Sequence, residues 1–283
     1  MIPGVSLPTS LQDELEALGS LDLVVGIPSF NNVRTLPHVV CAVQAGLAKH
    51  FPGLRAAVIN SDGGSTDGSQ DAVREVALSA SCTLIANHPV HPIHRIVTPY
   101  HGIPGKGSAL RTVFQAAVLL KAKACAVVDS DLRSIEPAWM DMLLTPVLRE
   151  GYDFVAPLYL RHKYDGTITN SIVYPLTRSL YGQRVRQPIG GDFGFSGRLA
   201  THYLEQDVWE TDVARFGIDA WMTTTAITDR FKVCQAFLGA KIHDAKDPAL
   251  DLSQMLRQVV GSVFSLMEAR EEAWKGVRGS KAV

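Results

Sequence analysis

The sequence contains no run of about 18 apolar residues, the length that a membrane-crossing helix requires. Yet 46% of its residues are hydrophobic, so that apolar content belongs to a core. With 283 residues there is room for one large domain or two small ones. An excess of one charge is also missing: 27 Lys and Arg stand against 28 Asp and Glu, a formal net charge of −1. No global basic field therefore argues for nucleic acid as a partner. Cysteine is scarce. Cys41, Cys82, Cys125 and Cys234 are scattered and form no C-x-x-C pair, which reads as reduced, mostly buried thiols of a cytoplasmic protein. The histidines form no H-x-x-x-H pair, and "HPVHPIH" at 88–94 reads as a proline-punctuated loop rather than a zinc site. The N-terminus lacks a basic region followed by an apolar stretch, so it does not read as a secretory signal.

What is present is an alternation of apolar strands with amphipathic helices. Strands are expected at 21–27, 54–60, 94–99 and 123–131, with helices at 35–50, 67–80 and 105–122 between them. Such an order implies an α/β fold with a mostly parallel sheet and right-handed crossovers. Its ligands belong at the carboxyl ends of the strands. In the second half, 152–161 reads as a strand and 167–182 as a helix broken near Pro175. "QPIGGDFGFSG" (187–197) reads as irregular, 217–230 starts as a helix, and 231–243 holds one or two strands. A long closing helix is expected at about 249–274. No linker separates the halves. One domain over 1–283 is expected, with a ligand-binding half at about 21–131 and a second half at about 132–248.

Three of the expected strands end in polar loops. "VDSD" closes the fourth strand with Asp129 and Asp131, which share a face if the strand continues. Two hard oxygen ligands so spaced suit Mg²⁺ or Mn²⁺, although the same residues could cap the following helix. "NSDGGSTDGS" (60–69) places Asp62 at a strand end, and "IPSFNN" (27–32) follows the first strand. In "PGKGSAL" two glycines flank Lys106 just before a helix, a combination that can meet an anion. It is not a Walker loop, because the G-x-x-x-x-G-K-[ST] spacing is absent. "QPIGGDF" offers a Gly-Gly pair that lets backbone approach a ligand, beside Asp192. "GID" puts Asp219 at a helix start, and His243 follows the last expected strand.

Taken in this order, "IPSFNN", "DGGSTD", "PGKGSAL", "VDSDL", "QPIGGDF", "GID" and the late histidine resemble the GT-A glycosyltransferases. More closely, they resemble the retaining glucosyl- and mannosyl-phosphoglycerate synthases and mannosylglycerate synthase, over about residues 22–262. The resemblance implies a Rossmann-like sheet with helices on both faces. It also implies transfer of a hexose from UDP-glucose or GDP-mannose to a small polar acceptor such as glycerate or phosphoglycerate. Pro28, Ser29, Asn32, Asp62, Lys106, Asp129 and Ser130 would bind the nucleotide sugar. Asp131, His243 and Asp129 would hold a divalent cation. Gly190, Gly191 and Ser196 would meet the acceptor, and Asp219, Asp192 and Lys106 would act at the reacting centre. Beyond the two substrates, a homodimer is left open as a further partnership.

The chain departs from these relatives in its first loop, where they often carry a glutamate and it has "SFNN". The phosphoglycerate synthases also carry an arginine where this chain has Gly197, and a basic stretch where it has "HDAKDP". Both features help hold a phosphorylated acceptor, so phosphoglycerate is put in doubt, with Arg161, His162 and Lys163 as replacement charge. Two other classes compete. A sugar-phosphate nucleotidyltransferase would need a Gly-rich loop after the first strand, which "GIPSFNN" lacks. A non-catalytic nucleotide-sugar binder would not need the retained Asp131, Lys106 and His243.

Overall fold

The computed structural model describes residues 7–78, 93–99, 105–162, 165–243 and 253–283. In chain order the elements are α1 (Thr9–Leu18), β1 (Leu23–Ser29), α2 (Leu36–His50), β2 (Ala56–Asp62), α3 (Ser69–Leu78), β3 (Ile93–Pro99), α4 (Lys106–Leu119) and β4 (Ala124–Val127). There follow α5 (Ala138–Arg149), β5 (Phe154–Leu160), a π-helical turn (Thr169–Val173) running into α6 (Tyr174–Tyr181), β6 (Phe193–Ser196) and α7 (Gly197–Leu204). A 3₁₀ turn (Asp212–Ala214), α8 (Ile218–Thr228), β7 (Val233–Ala240), α9 (Ser253–Ala269) and α10 (Glu271–Trp274) complete the described chain.

One sheet takes strands from both halves, in the order β3-β2-β1-β4-β6-β5-β7. Strands β1 to β4 run parallel, as do β5 and β7, while β6 lies antiparallel between β4 and β5. Every residue of β1 is buried. Val24 joins Leu110, Val113 and Phe114 of α4 in one core cluster. Leu23, Val25 and Ile27 join Val39 and Val43 of α2 and Leu143 of α5 in the other. Helices therefore cover both faces, and the strand is a continuous apolar run rather than an alternating one. Gly26 lets α4 approach closely, since a Cβ there would sit 2.5 Å from the Val113 side chain.

Several expectations are corrected. The fourth strand ends at Val127; Val128 N–H still donates to Gly26 O at 3.0 Å, and the chain then turns. Asp129 and Asp131 therefore do not share a strand face. The second part of "QPIGGDFGFSG" is not irregular but the internal strand β6. Its four residues carry a weak strand signal and pair only because neighbours flank them on both sides. Phe193 and Phe195 fill the α4 side, and Gly194 lies against the Leu143 carbonyl, 2.1 Å from where its Cβ would be. The helix expected to break near Pro175 runs on through it: Pro175 stands at the start of α6, directly after the π turn. Helix α1 was not foreseen; Leu11 and Leu15, one turn apart, bury its inner side. The closing helix is interrupted at Arg270, and residues 249–252 lie outside the described chain.

Cys125 and Cys234 are free thiols, but Cys41 is disulfide-bonded, against the expectation of reduced cysteines throughout. Cys82 and most of "HPVHPIH" lie outside the described residues. No helix of the described residues is long and apolar enough to cross a membrane.

Phe195 is fully buried, with its ring edge-on to Phe114 at 5.3 Å. Phe195→Ala is expected to cost about 3–5 kcal/mol of unfolding free energy, read from denaturant midpoints. A loss below about 1 kcal/mol would contradict this packing.

Candidate functional site

The loops that leave the carboxyl ends of β1, β2 and β4 are stitched together. Asp62 ends β2 and is buried. Its Oδ1 accepts from Gly64 N–H (3.0 Å), Ser65 N–H (2.8 Å) and Gln70 Nε2 (2.8 Å), and its Oδ2 from Ser29 Oγ (2.9 Å) and Ser65 Oγ (2.7 Å). Burial pushes its pKa up, but the donors from Ser65, Gln70 and Ser29 outweigh that and hold it below the usual carboxylate value. Asn31, at φ 54°, joins the two loops: its N–H donates to Ser65 Oγ and its Oδ1 accepts from Thr66 N–H. Asn32 Oδ1 accepts from Ser130 Oγ at 2.8 Å, tying in the loop after β4. Pro28, Ser29, Asn32, Asp62 and Ser130 are thus drawn together as one rim. Asp62 acts there as the loop's organiser, with both oxygens engaged inside it.

The second part of the site is a buried cluster of charge. Lys106 opens α4, and its Nζ reaches Asp129 Oδ1 at 2.8 Å and both oxygens of Asp219 at 3.2 Å. The glycines beside it serve packing. A Cβ at Gly105 would lie 2.6 Å from Arg215 Cα, and one at Gly107 2.0 Å from Val213 O. Gly107 N–H is taken by the Arg215 carbonyl at 3.0 Å, so the anion-meeting group at this helix start is the ammonium. Asp129 Oδ2 accepts from Lys241 Nζ at 2.8 Å. Lys241 also donates to Asp192 Oδ2 at 2.7 Å and to the Gly190 carbonyl at 2.8 Å. Asp192 further accepts the Tyr159 hydroxyl and the Asp129 N–H (2.8 Å).

These contacts set the protonation states. Burial alone would lower the pKa of Lys106, but Asp129 and Asp219 outweigh it and hold it above the usual lysine value. Lys241 is raised in the same way by Asp129 and Asp192. For Asp129, burial is overcome by Lys106 and Lys241, which keep its carboxyl far below the ordinary range. Asp219 is pushed up by burial, with Asp129 adding to it against the pull of Lys106. Tyr159 is raised by burial and by Asp192, so it stays a neutral donor. Asp219 Oδ1 is buried and makes no hydrogen bond. Among the described residues its one polar contact in this cluster is the ion pair with Lys106 Nζ at 3.2 Å.

Four expectations change on this geometry. Asp129 was expected to meet metal or ribose, but each of its oxygens is held by an ammonium. Asp192 was expected to be catalytic, but it is wholly buried with both oxygens engaged, and it underlies the site as framework. Gly190 and Gly191 contribute carbonyls and space: Gly191, at φ 89°, lies so close to Asp129 that a Cβ would fall 2.0 Å from Oδ2. Ser196 is paired with Ala124 at the opposite end of the sheet. It is four residues along β6 from Asp192, roughly 13 Å at strand spacing. There it caps α7, accepting from Leu199 N–H and donating to Asp153. Gly197 is at that end too, with the Ala122 carbonyl 1.9 Å from where its Cβ would lie, so its missing side chain does not bear on the acceptor.

Asp131 and His243 come together on paired backbone. Leu132 bridges His243, Arg133 N–H donates to Ile242 O at 2.8 Å, and Ile242 N–H donates to Ser134 Oγ at 2.9 Å. Among the described residues no group of three His, Cys, Asp or Glu side chains is drawn tightly enough to hold a metal ion by itself. A carboxylate and an imidazole on adjoining segments nonetheless suit a divalent ion whose other ligands are phosphate oxygens and water. His243 Nε2 lies 3.6 Å from Asp165 Oδ2, and Arg161 Nη1 is 3.6 Å from the same oxygen.

Lys241 and Tyr159 were not foreseen as site residues. The signal for Lys241 is Gly239 in "FLGAKIH". At φ 76°, Gly239 lies where β7 gains one extra residue against β5, and Lys241 N–H then pairs with Leu160 O. Such a bulge re-aims the side chains after it.

Residues 24–205 match the model of glycosyl transferase family 2, more than half of the chain. A search of curated sequences finds no match. Crystal structures of glucosyl-3-phosphoglycerate synthase from Mycobacterium tuberculosis are similar in fold. One complex with Mn²⁺, UDP-glucose and phosphoglyceric acid is 22% identical, with 93% of this chain and 86% of that chain covered at a TM-score of 0.64. Another, with Mg²⁺ and UDP, is 20% identical, covering 93% and 84% at 0.63. A further mycobacterial protein is 21% identical, covering 92% and 80% at 0.62.

The hydrogen bonds to Asp62 predict a pH dependence. A carboxyl whose folded pKa lies below its unfolded value near 3.9 contributes stability that is present above that value and lost as pH falls through the folded one. Asp62→Asn should therefore be less stable than wild type at pH 7, with the gap closing on acidification toward about pH 2. Denaturant midpoints across that range check it, and a gap that does not change with pH would contradict it.

Proposed function

The chain belongs to glycosyl transferase family 2, and on that premise we propose that it is a metal-dependent transferase. It moves a hexose from a nucleotide sugar, UDP-glucose or GDP-mannose, to a small polar acceptor of the glycerate or phosphoglycerate kind. The observation that carries this reading is the Lys106 ammonium, held at the carboxyl ends of the strands between the carboxylates of Asp129 and Asp219.

In this reading the rim formed by Pro28, Ser29, Asn32, Asp62 and Ser130 takes the nucleoside, and Lys106 faces the diphosphate. As the glycosidic bond breaks, charge gathers on the leaving diphosphate, and a preorganised ammonium stabilises it. Asp131 and His243 would hold the divalent cation, which when bound supplies further neutralisation of that charge. Asp219 Oδ1, which is buried and makes no hydrogen bond beside its ion pair with Lys106, would accept a hydroxyl of the sugar or acceptor once Lys106 turns to the diphosphate. Asp192, wholly buried and engaged at both oxygens, is poorly placed for a nucleophilic step, which weighs against a two-carboxylate double displacement and favours front-face transfer. Arg161 supports an acidic acceptor: it follows β5 directly, its Nε is buried without a hydrogen bond, and its guanidinium stacks over Tyr159 at 5.4 Å. Lys163, the other cation expected there, lies outside the described residues.

Two measurements test this. The first is a product screen of UDP-glucose and GDP-mannose against glycerate, 3-phosphoglycerate and simple sugars. A glycoside of a small anionic acceptor is the expected result; transfer only to lipid or protein would overturn it. The second is calorimetry of UDP and GDP with and without Mn²⁺. Asp131→Ala should keep its fold and lose the metal-dependent part of the affinity, and undiminished metal-dependent binding would remove Asp131 from the ion's ligands.

A further inference from the structure

Lys241 has no part in the transfer chemistry above, yet it is the more enclosed of the two ammoniums in the cluster. Its side chain is 3% exposed against 16% for Lys106. Its three donors meet three acceptors, Asp129 Oδ2, Asp192 Oδ2 and the Gly190 carbonyl, all within 2.8 Å. The Tyr159 ring lies beside it, 5.1 Å from Nζ. No proton of this ammonium is left to meet a substrate. Lys106 is held differently, with one short bond to Asp129 and longer approaches to Asp219 at 3.2 Å and the Gly191 carbonyl at 3.5 Å.

Asp129 is shared by both ammoniums, and this sharing has a chemical consequence. A carboxylate in a buried site is costly to leave without a counter-ion. If Lys106 were its single partner, any diphosphate drawing Lys106 away would strand Asp129. With Lys241 fixed on the second oxygen, Asp129 remains compensated when Lys106 turns. We propose that Lys241 is a positioning residue, the resident counter-ion of Asp129 that releases Lys106 to bind the diphosphate of the donor. The inference rests on the nucleotide-sugar reading of the site. It gives separate tasks to two lysines that meet the same carboxylate: one stays, and one moves.

The test is a double-mutant cycle read by calorimetry of UDP and GDP in the presence of Mn²⁺, on the full chain. The variants are Lys241→Met, Asp129→Asn and the two combined, with folding of each checked by circular dichroism. Lys241→Gln, which keeps a donor and removes the charge, replaces Lys241→Met if the latter does not fold. In the wild-type background the loss of the Lys241 charge should weaken nucleotide binding by about tenfold or more. In the Asp129→Asn background the same change should cost less than about twofold, because the Asp129 carboxylate that needs Lys241 as its second counter-ion is gone. A merely structural role, through Asp192 and Gly190, would weaken binding equally in both backgrounds, and that result overturns the proposal. Wild-type protein that binds neither nucleotide would overturn the nucleotide-sugar reading and this inference with it. Nucleotide binding by the wild type with equal losses in both backgrounds overturns this inference alone.

Discussion

The site depends on one carboxylate held by two ammoniums. Asp129 stands just past β4 and joins the start of α4 through Lys106 to the end of β7 through Lys241. Its own N–H reaches Asp192 and so fixes the turn before β6. Buried ion pairs stabilise little unless every member is satisfied, and removing one member is expensive. Here three carboxylates meet two ammoniums, and the imbalance falls on Asp219, whose pKa burial raises. The atom left without a hydrogen bond belongs to that residue. The least satisfied group of the cluster is thus the one proposed to meet a ligand.

The rest of the fold serves to bring those side chains to one place. Parallel strands end together, and β6 runs back between β4 and β5 so that Asp192 precedes it at the same end as Asp129. Close approach is achieved where side chains are absent. Gly191 admits the Asp129 carboxylate, Gly190 admits Pro157, and Gly105 and Gly107 let α4 start against the 213–215 backbone. The same glycines look in the sequence like ligand-binding loops, and in the structure they are first of all spaces for other parts of the protein.

How much of this could be seen in advance follows from the kind of signal each part leaves. Buried parallel strands such as β1 and β2 are continuous apolar runs, and the helices between them repeat apolar residues at helical spacing, so both were legible. The polar strand ends were legible for the same reason, because aspartates at the close of an apolar run stand out. Strand β6 was not, since Phe-Gly-Phe-Ser is a strand only by virtue of its two neighbours. Ser196 was misplaced because motif position says nothing about direction along an antiparallel strand, and direction alone puts it at the far end. Lys241 and Tyr159 went unnoticed because single residues beyond or within a strand carry no pattern. Their meaning comes from a bulge at Gly239 and from contacts across the sheet. Asp129 was recognised as part of the site, but its partners were not: a D-x-D string does not tell whether a carboxylate will meet a cation from solvent or an ammonium from the chain.

The most direct measurement is a crystal structure of the protein with UDP, or GDP, and Mn²⁺. The predicted result has the diphosphate between Lys106 and the ion, with Asp131 and His243 on the ion and the nucleoside against the rim of Ser29, Asn32 and Asp62. Lys241 should still be on Asp129 and Asp192. A nucleotide bound away from Lys106 and the ends of β1, β2 and β4, or an ion held without Asp131, would contradict it.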